Sequence, residues 1–254
     1  MFKAVSTYTL QRFKPLTFLS LAVFLLLFAH PGFPKAADWA ILFWLLPLLF
    51  VFRLFDDLAN KEIDAEKPNR LYTKADEAKK LNTALHIAFA LVAIPLLFID
   101  INISLILTAF YLVNLMVYRL FFKTGNFRFV LPLLKYPLIV FLISLVLGQT
   151  AGPGQFLKAI SLIPAFILFE HYDEPEFNIA FFYQAMALIL LNLLIIFPDF
   201  SFWTIIFSIA GILFFLSMHL LKHQKPYLAY LVLLFALLLN IYCKNPWNFN
   251  LFPL

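Results

Sequence analysis

Charge is what this chain has least of. Asp, Glu, Lys and Arg make up 13% of its 254 residues, while 63% are hydrophobic and the mean hydropathy is +0.91. A soluble domain of this length cannot bury so much apolar surface. The composition therefore excludes a water-soluble globular protein and implies an integral membrane protein. The single cysteine, Cys243, excludes an intramolecular disulfide and reads as a small buried residue. Glycine is scarce too, with 6 in the chain, and Gly211 and Pro132 do not form a matched pair of mid-membrane helix breaks. That argues against a transporter built from broken helices. The net charge of +5 follows from its distribution along the chain and calls for no nucleic acid. The 33 Phe residues suit lipid-facing and helix-packing surfaces.

What is present is a succession of apolar runs. They fall at about 16–30, 38–54, 81–99, 102–122, 129–148, 156–170, 178–198, 202–221 and 227–243, separated by turn signals such as His30-Pro-Gly-Phe-Pro34 and Gly148 to Gly154. The expectation is a single all-α polytopic domain over residues 1–254, with about nine transmembrane helices. The first run, preceded by Lys3, Arg12 and Lys14, lacks a small-x-small cleavage site and reads as a retained membrane helix. If the runs alternate direction, 15 of the 19 Lys and Arg residues share the side of the N-terminus; Lys35, Lys158 and Lys244 lie opposite and Lys135 lies inside the fifth run. The positive-inside rule then predicts a cytoplasmic N-terminus and a C-terminus on the opposite side.

The acidic residues are concentrated in the same way. All but Asp38, Asp100 and Asp199 fall in two segments, a loop at about 55–80 and a second at about 170–177, both predicted to be cytoplasmic. In the first, Asp56, Asn60 and Asp64 are spaced i, i+4, i+8, and Asp57, Asn60 and Asp64 are spaced i, i+3, i+7. Either set lines one face of a helix. In the second, Glu170 and Glu174 are again four apart, with Asp173 between. Carboxylates beside membrane helices are functional candidates, because placing them there is costly. Paired oxygen-rich segments suit Mg²⁺, which shares its octahedral shell with substrate phosphates.

Several of these residues also have plainer readings. Arg53 has the spacing to pair with Asp57 at i, i+4. Arg119 and Lys123 read as interface anchors, on the side where they could also meet phosphate. Lys135 can snorkel to the interface, in competition with a diphosphate contact. His86 reads as a packed or hydrogen-bonded residue, and His219 with His223 is a weak metal pattern. Tyr172 and His171 sit close enough to the second acidic segment to leave their roles open. Lys74 to Lys80 reads as a solvated helix start.

The segment Asp56-Asp57-Leu-Ala-Asn60-Lys-Glu-Ile-Asp64 resembles the first signature of the UbiA superfamily of intramembrane prenyltransferases, Asn-Asp-x-x-Asp-x-x-x-Asp. Lys67-Pro68-Asn69-Arg70 is similar to that family's Pro-x-Arg-Pro stretch, and Arg12-Phe-Lys-Pro15 and Tyr118-Arg119-Leu-Phe-Phe122 agree with it as well. The resemblance implies a UbiA-like bundle in which acidic motifs hold Mg²⁺ and bind the diphosphate of a polyprenyl donor. The prenyl group would pass to a lipophilic, in some members aromatic, acceptor. By position, Asp57 and Asp64 match metal-binding aspartates and are the implied catalytic pair. Asp56 stands where the motif has Asn, Asn60 replaces its central Asp, and Glu170 and Glu174 replace the aspartates of the second motif, with Asp173 in a competing register. The implied metal set is Asp56, Asp57, Asn60, Asp64, Glu170, Asp173 and Glu174. The implied diphosphate set is Arg53, Lys67, Arg70, Arg119, Lys123 and Lys135. The altered positions keep open an alternative, a non-catalytic membrane protein of the same fold that binds lipid or acts as a scaffold.

Overall fold

Residues this apolar have no way to satisfy backbone N–H and C=O groups in lipid except within helices, and the computed structural model is helical throughout its described residues, with no strand. It describes residues 1–254 other than 31, 67–69, 122–130, 150–151, 174–176, 178, 199–200, 221–225 and 245–254; the side chains of 63, 66, 119–121, 131 and 244 also lie outside the description.

Among the described residues eleven α-helices follow in order: α1 (Phe2–Arg12), α2 (Pro15–Ala29), α3 (Leu42–Ala59), α4 (Ala75–Ile99), α5 (Ile101–Phe121), α6 (Lys135–Val146), α7 (Pro153–Ile160), α8 (Leu162–Asp173), α9 (Phe181–Ile196), α10 (Phe202–Leu220) and α11 (Pro226–Lys244). A 3₁₀ segment, Ala36–Ile41, leads into α3. Each of the nine apolar runs falls on helix, and among the described residues length and composition qualify six stretches as membrane spans: Ala36–Ala59, Ala75–Ile99, Ile101–Tyr118, Pro153–Asp173, Phe202–Leu220 and Pro226–Cys243. A seventh arises if α1 and α2, bent by 74° at their junction, count as one broken span. The bend has a local cause, because Pro15 disfavours helical geometry in Lys14 and cannot donate a backbone hydrogen bond. The remaining two apolar helices, Pro132–Val146 and Phe181–Ile196, are shorter than a full crossing requires. The chain is thus a multi-pass helical membrane protein.

Two compact units make up the chain. The first comprises Met1–Leu26 and Lys35–Arg128; the second comprises Leu27–Pro34 and Phe129–Leu254. In the first, α4 packs against both α3 and α5, and α1 lies against α4 and the Leu71–Thr73 turn. The indole Nε1 of Trp44 donates to the Val92 carbonyl at 3.1 Å and pins α3 to α4. In the second, α8 and α11 form the most extensive contact. Leu162, Ala165 and Leu168 are buried on α8, as are Leu228, Ala229, Val232, Ala236 and Leu239 on α11. Small alanines at such a face let two helix backbones approach closely, which is how helices associate where lipid removes the hydrophobic drive.

Large apolar side chains also cover the outside, among them Leu91, Phe98, Leu105, Phe202, Trp203 and Leu213. In water this would be an aggregation surface; in a bilayer it is the lipid-facing one. Polar groups run the other way, with Ser144, Gln184, Asn192, Ser208 and Asn240 buried. Asn192 Oδ1 accepts from Ser208 Oγ at 2.6 Å, and Asn240 Nδ2 donates to the Phe28 carbonyl at 2.8 Å.

Helix α6 ends in a complete Schellman motif. Gly148 N–H donates to Leu145 O at 2.9 Å and Gln149 N–H to Ser144 O at 3.0 Å, with Gly148 at φ +72°. A glycine adopts that left-handed geometry without a Cβ penalty.

Candidate functional site: a buried aspartate cluster

The first acidic segment begins inside α3 rather than after it. Asp56 and Asp57 occupy its last turn, and Asn60 is its C-cap. Aspartates at the negative end of a helix dipole are electrostatically unfavourable, and here they are buried as well: Asp56, Asp57 and Asp64 are 6%, 3% and 8% exposed. Such carboxylates persist only if donors satisfy them, and the first unit supplies donors from three other elements.

Asp57 is the most heavily engaged. Arg12 on α1 grips it in a fork, Nε to Oδ2 at 2.9 Å and Nη2 to Oδ1 at 2.9 Å. The Tyr8 hydroxyl, one helical turn earlier on α1, donates to Oδ2 at 2.8 Å. Arg53 Nη2 lies 3.4 Å from Oδ1, the i, i+4 pair the sequence suggests. Asp56 Oδ1 accepts from the Tyr118 hydroxyl of α5 at 2.8 Å, and Asp64 Oδ2 from the Tyr72 hydroxyl at 2.5 Å. Aromatic packing fixes these tyrosines. The Phe55 ring meets that of Tyr118 edge-on at 4.8 Å, Tyr8 and Tyr72 meet edge-on at 6.4 Å, and the Arg12 guanidinium lies 5.8 Å from the Tyr72 ring centroid. Burial, and then the bond to Asp64, raise the Tyr72 phenol well above its ordinary range, so it stays a donor.

Asn60 does different work. Its Nδ2 donates to the Asp56 carbonyl at 3.1 Å, and its own backbone carbonyl accepts from the Asp64 N–H at 2.9 Å. The carboxamide thus adds a second bond to a carbonyl that already accepts from the Asn60 N–H at 3.0 Å, a bond a carboxylate cannot make because it has no proton to donate. Asn for Asp at this position is a capping choice in the structure seen here.

One polar atom in the cluster lacks a partner. Arg53 Nε is buried and makes no hydrogen bond. A cationic N–H left without an acceptor is costly, and it sits on the guanidinium that also reaches Asp57.

Of the other sequence candidates, Arg70 is half-buried, and its carbonyl accepts from Thr73 Oγ1 at 2.8 Å. Lys67, Lys123 and Glu174 lie outside the described residues, as does the Arg119 side chain. Glu170 is half-buried and Asp173 exposed at the end of α8, in the second unit. Lys135, also in that unit, is buried at the first turn of α6, its ammonium 5.3 Å from the Tyr136 ring centroid. His86 is hydrogen-bonded, 3.0 Å from the Tyr111 hydroxyl.

The candidates singled out from sequence omitted Tyr8 and Tyr72, and Arg12 and Tyr118 were tied to the site only as parts of a resemblance. Tyr8 and Arg12 did carry a signal: they are four residues apart on a short helix and so share a face. Nothing local marks Tyr72, whose partner is 8 residues away, and no spacing ties Tyr118 to a partner 62 residues away.

The donor types in this cluster are those Mg²⁺ uses, but as folded they do not fit a metal. Both oxygens of Asp57 are taken by a guanidinium, and no three His, Cys, Asp or Glu side chains among the described residues converge on a metal-holding position. The chain matches no protein-family model, and no curated protein or solved structure is significantly similar to it.

Proposed function

We propose that this chain is an intramembrane enzyme of the UbiA kind, transferring a prenyl group from an isoprenoid diphosphate to a lipophilic acceptor, with the diphosphate bound at the Asp57 cluster. The observation that carries the reading is the pair of guanidiniums there. Arg12 presents the fork that matches a carboxylate or a phosphate equally well, and Arg53 has a buried Nε–H with no acceptor. An anion arriving beside them would satisfy Arg53 and compete with Asp57 for Arg12. The prenyl chain would run along the apolar helices, whose interior excludes water.

The resemblance brings Mg²⁺ into this reading as the cofactor, since it supplies charge neutralisation to a departing diphosphate. Asp57 and Asp64 are the residues to which the resemblance would assign it. The same reading places the N-terminus and both acidic segments on the cytoplasmic face and counts Arg70, Lys67, Arg119, Lys123 and Lys135 as further cations for the head group.

A second reading has its own support. Asp57 is closed off by Arg12, Arg53 and Tyr8, and Asn60 caps a helix, which suits a non-catalytic membrane protein that keeps the cluster for stability.

Equilibrium binding of farnesyl and geranylgeranyl diphosphate to the purified protein, with and without Mg²⁺, separates the two. The enzyme reading expects Mg²⁺-dependent binding that Asp64→Ala abolishes and Arg12→Ala weakens by about tenfold or more. Absence of binding by the unaltered protein with either donor favours the non-catalytic reading.

A further inference from the structure

A cavity of about 560 Å³ opens in the first unit between the end of α3 and the opening turns of α4. Its lining includes Leu58, Lys61, Glu62, Ala78, Lys79 and Asn82. Leu58 is half-buried and Ala78 buried, which gives the cavity an apolar floor, and the four polar residues are exposed around it. No residue of the aspartate cluster takes part. Two lysines against one glutamate leave the cavity with net positive charge. Neither Lys61 nor Lys79 is in an ion pair among the described residues, whereas the neighbouring Lys80 is paired with Glu77 at 2.8 Å.

The cavity continues along α4 as a polar strip. Lys79, Asn82, Thr83 and His86 are spaced i, i+3, i+4, i+7 and all are exposed, so they share one outward face. At about 1.5 Å per residue the 25 residues of α4 extend about 37 Å, against a hydrocarbon core of about 30 Å. The excess falls at the charged end, Lys74 to Lys80, because the other end is Phe98 and Ile99. Asn82 and His86 therefore lie roughly 3 and 9 Å inside the core boundary. Polar groups at that depth normally face protein or water; these face outward. Thr83 Oγ1 is satisfied by the Lys79 carbonyl at 3.2 Å, and Asn82 Nδ2 reaches His86 Nε2 at 3.5 Å, which leaves Asn82 a second amide hydrogen for an outside partner. Past His86 the exposed surface of α4 is apolar, with Ile87, Leu91, Ile94 and Phe98. Cation, amide and hydrocarbon follow one another down the helix in the order of the phosphate, esters and acyl chains of a glycerophospholipid.

We propose that this face binds one anionic glycerophospholipid, with its phosphate in the cavity that Lys61 and Lys79 line, an ester carbonyl accepting from Asn82 Nδ2, and its acyl chains along the apolar length of α4. A basic site beside a membrane helix selects anionic headgroups, and a zwitterionic headgroup would bring its own cation up to the two lysines. The site goes beyond the function proposed above and stands whether or not the aspartate cluster binds diphosphate.

The test is titration of dioleoyl phosphatidylglycerol into the purified full-length protein in a non-ionic detergent, with bound lipid counted by native mass spectrometry. One saturable equivalent is expected, held about tenfold or more tighter than dioleoyl phosphatidylcholine. Lys61→Gln combined with Lys79→Gln should remove that preference. Lys74→Gln, at an exposed lysine outside the cavity, should leave it unchanged. The dialkyl ether analogue of phosphatidylglycerol lacks the ester carbonyls and should bind about threefold or more weakly, a difference that Asn82→Leu erases. Positions 61, 74, 79 and 82 are all exposed, so these variants probe binding rather than folding. Equal affinity of the unaltered protein for the two headgroups overturns the proposal, as does a preference that survives the double substitution. Displacement of the lipid by glycerol 3-phosphate at matched concentration assigns the cavity to a free phosphate ester and also overturns it. So does a dimer that Asn82→Leu abolishes, which gives the polar strip to a second copy of this chain.

Discussion

Asp57 shows how one residue can be costly and indispensable together. It sits at the negative end of α3, buried, and is stabilised by two guanidiniums and a phenol. Asp57→Ala leaves Arg12 and Arg53 facing each other without an acceptor and should lower unfolding stability by about 3 kcal/mol. Tyr72→Phe removes a single donor from Asp64 and should cost about 1 kcal/mol. Thermal unfolding in one detergent ranks the two; equal losses would mean that Asp57 is no more than another hydrogen-bonded group. Tyr72 also gives a pH prediction. Its phenol is raised in the folded protein, chiefly by burial and then by Asp64. The unfolded chain therefore ionises first, and the stability this group contributes is complete below about pH 10 and lost as pH rises beyond it. The midpoint of thermal unfolding should fall above that pH, less steeply in Tyr72→Phe. Sequence spacing made the aspartates legible, and it made the Arg53–Asp57 pair legible. The metal role of Asn60 came from the resemblance alone, and its Nδ2 bonds the Asp56 carbonyl.

Among the elements, α1 departs furthest from expectation. The first apolar run begins at about residue 16, preceded by Lys3, Arg12 and Lys14; Phe2–Arg12 form a helix of their own, whose Ala4 and Tyr8 are buried and whose Arg12 reaches the aspartates. Its polar face is what the cluster requires. Helix α10 depends on a residue with no side chain. A Cβ at Gly211 would collide with the Phe235 ring of α11, so Gly211→Ala should destabilise the second unit by about 1–3 kcal/mol, as overpacking does. Phe235→Leu in the same chain should recover most of the loss, and a double-mutant cycle on unfolding midpoints measures that coupling. Gly148→Ala, which forces a Cβ into left-handed geometry, should cost about 1 kcal/mol and shorten α6.

For the whole molecule, the composition required a membrane and the helices conform to it. What the nine runs leave open is how many of them cross. Among the described residues six stretches meet the length of a span, or seven if the bent α1–α2 pair counts as one, and Pro132–Val146 and Phe181–Ile196 are helical but shorter. Parity sets which side the C-terminus occupies. Reporter fusions in the 55–80 loop and at Gly148 should lie on opposite faces if all nine runs cross, and on one face if Pro132–Val146 does not. The sequence alone determined that the chain is all-helical, multi-pass and lipid-facing, because those properties follow from residue type summed over windows of about twenty. Only tertiary structure decided that Tyr8, Tyr72 and Tyr118 each hold an aspartate and that Arg12 closes over Asp57. Hydrogen bonds between residues far apart in the chain depend on where helices bring side chains, and no local pattern carries that information.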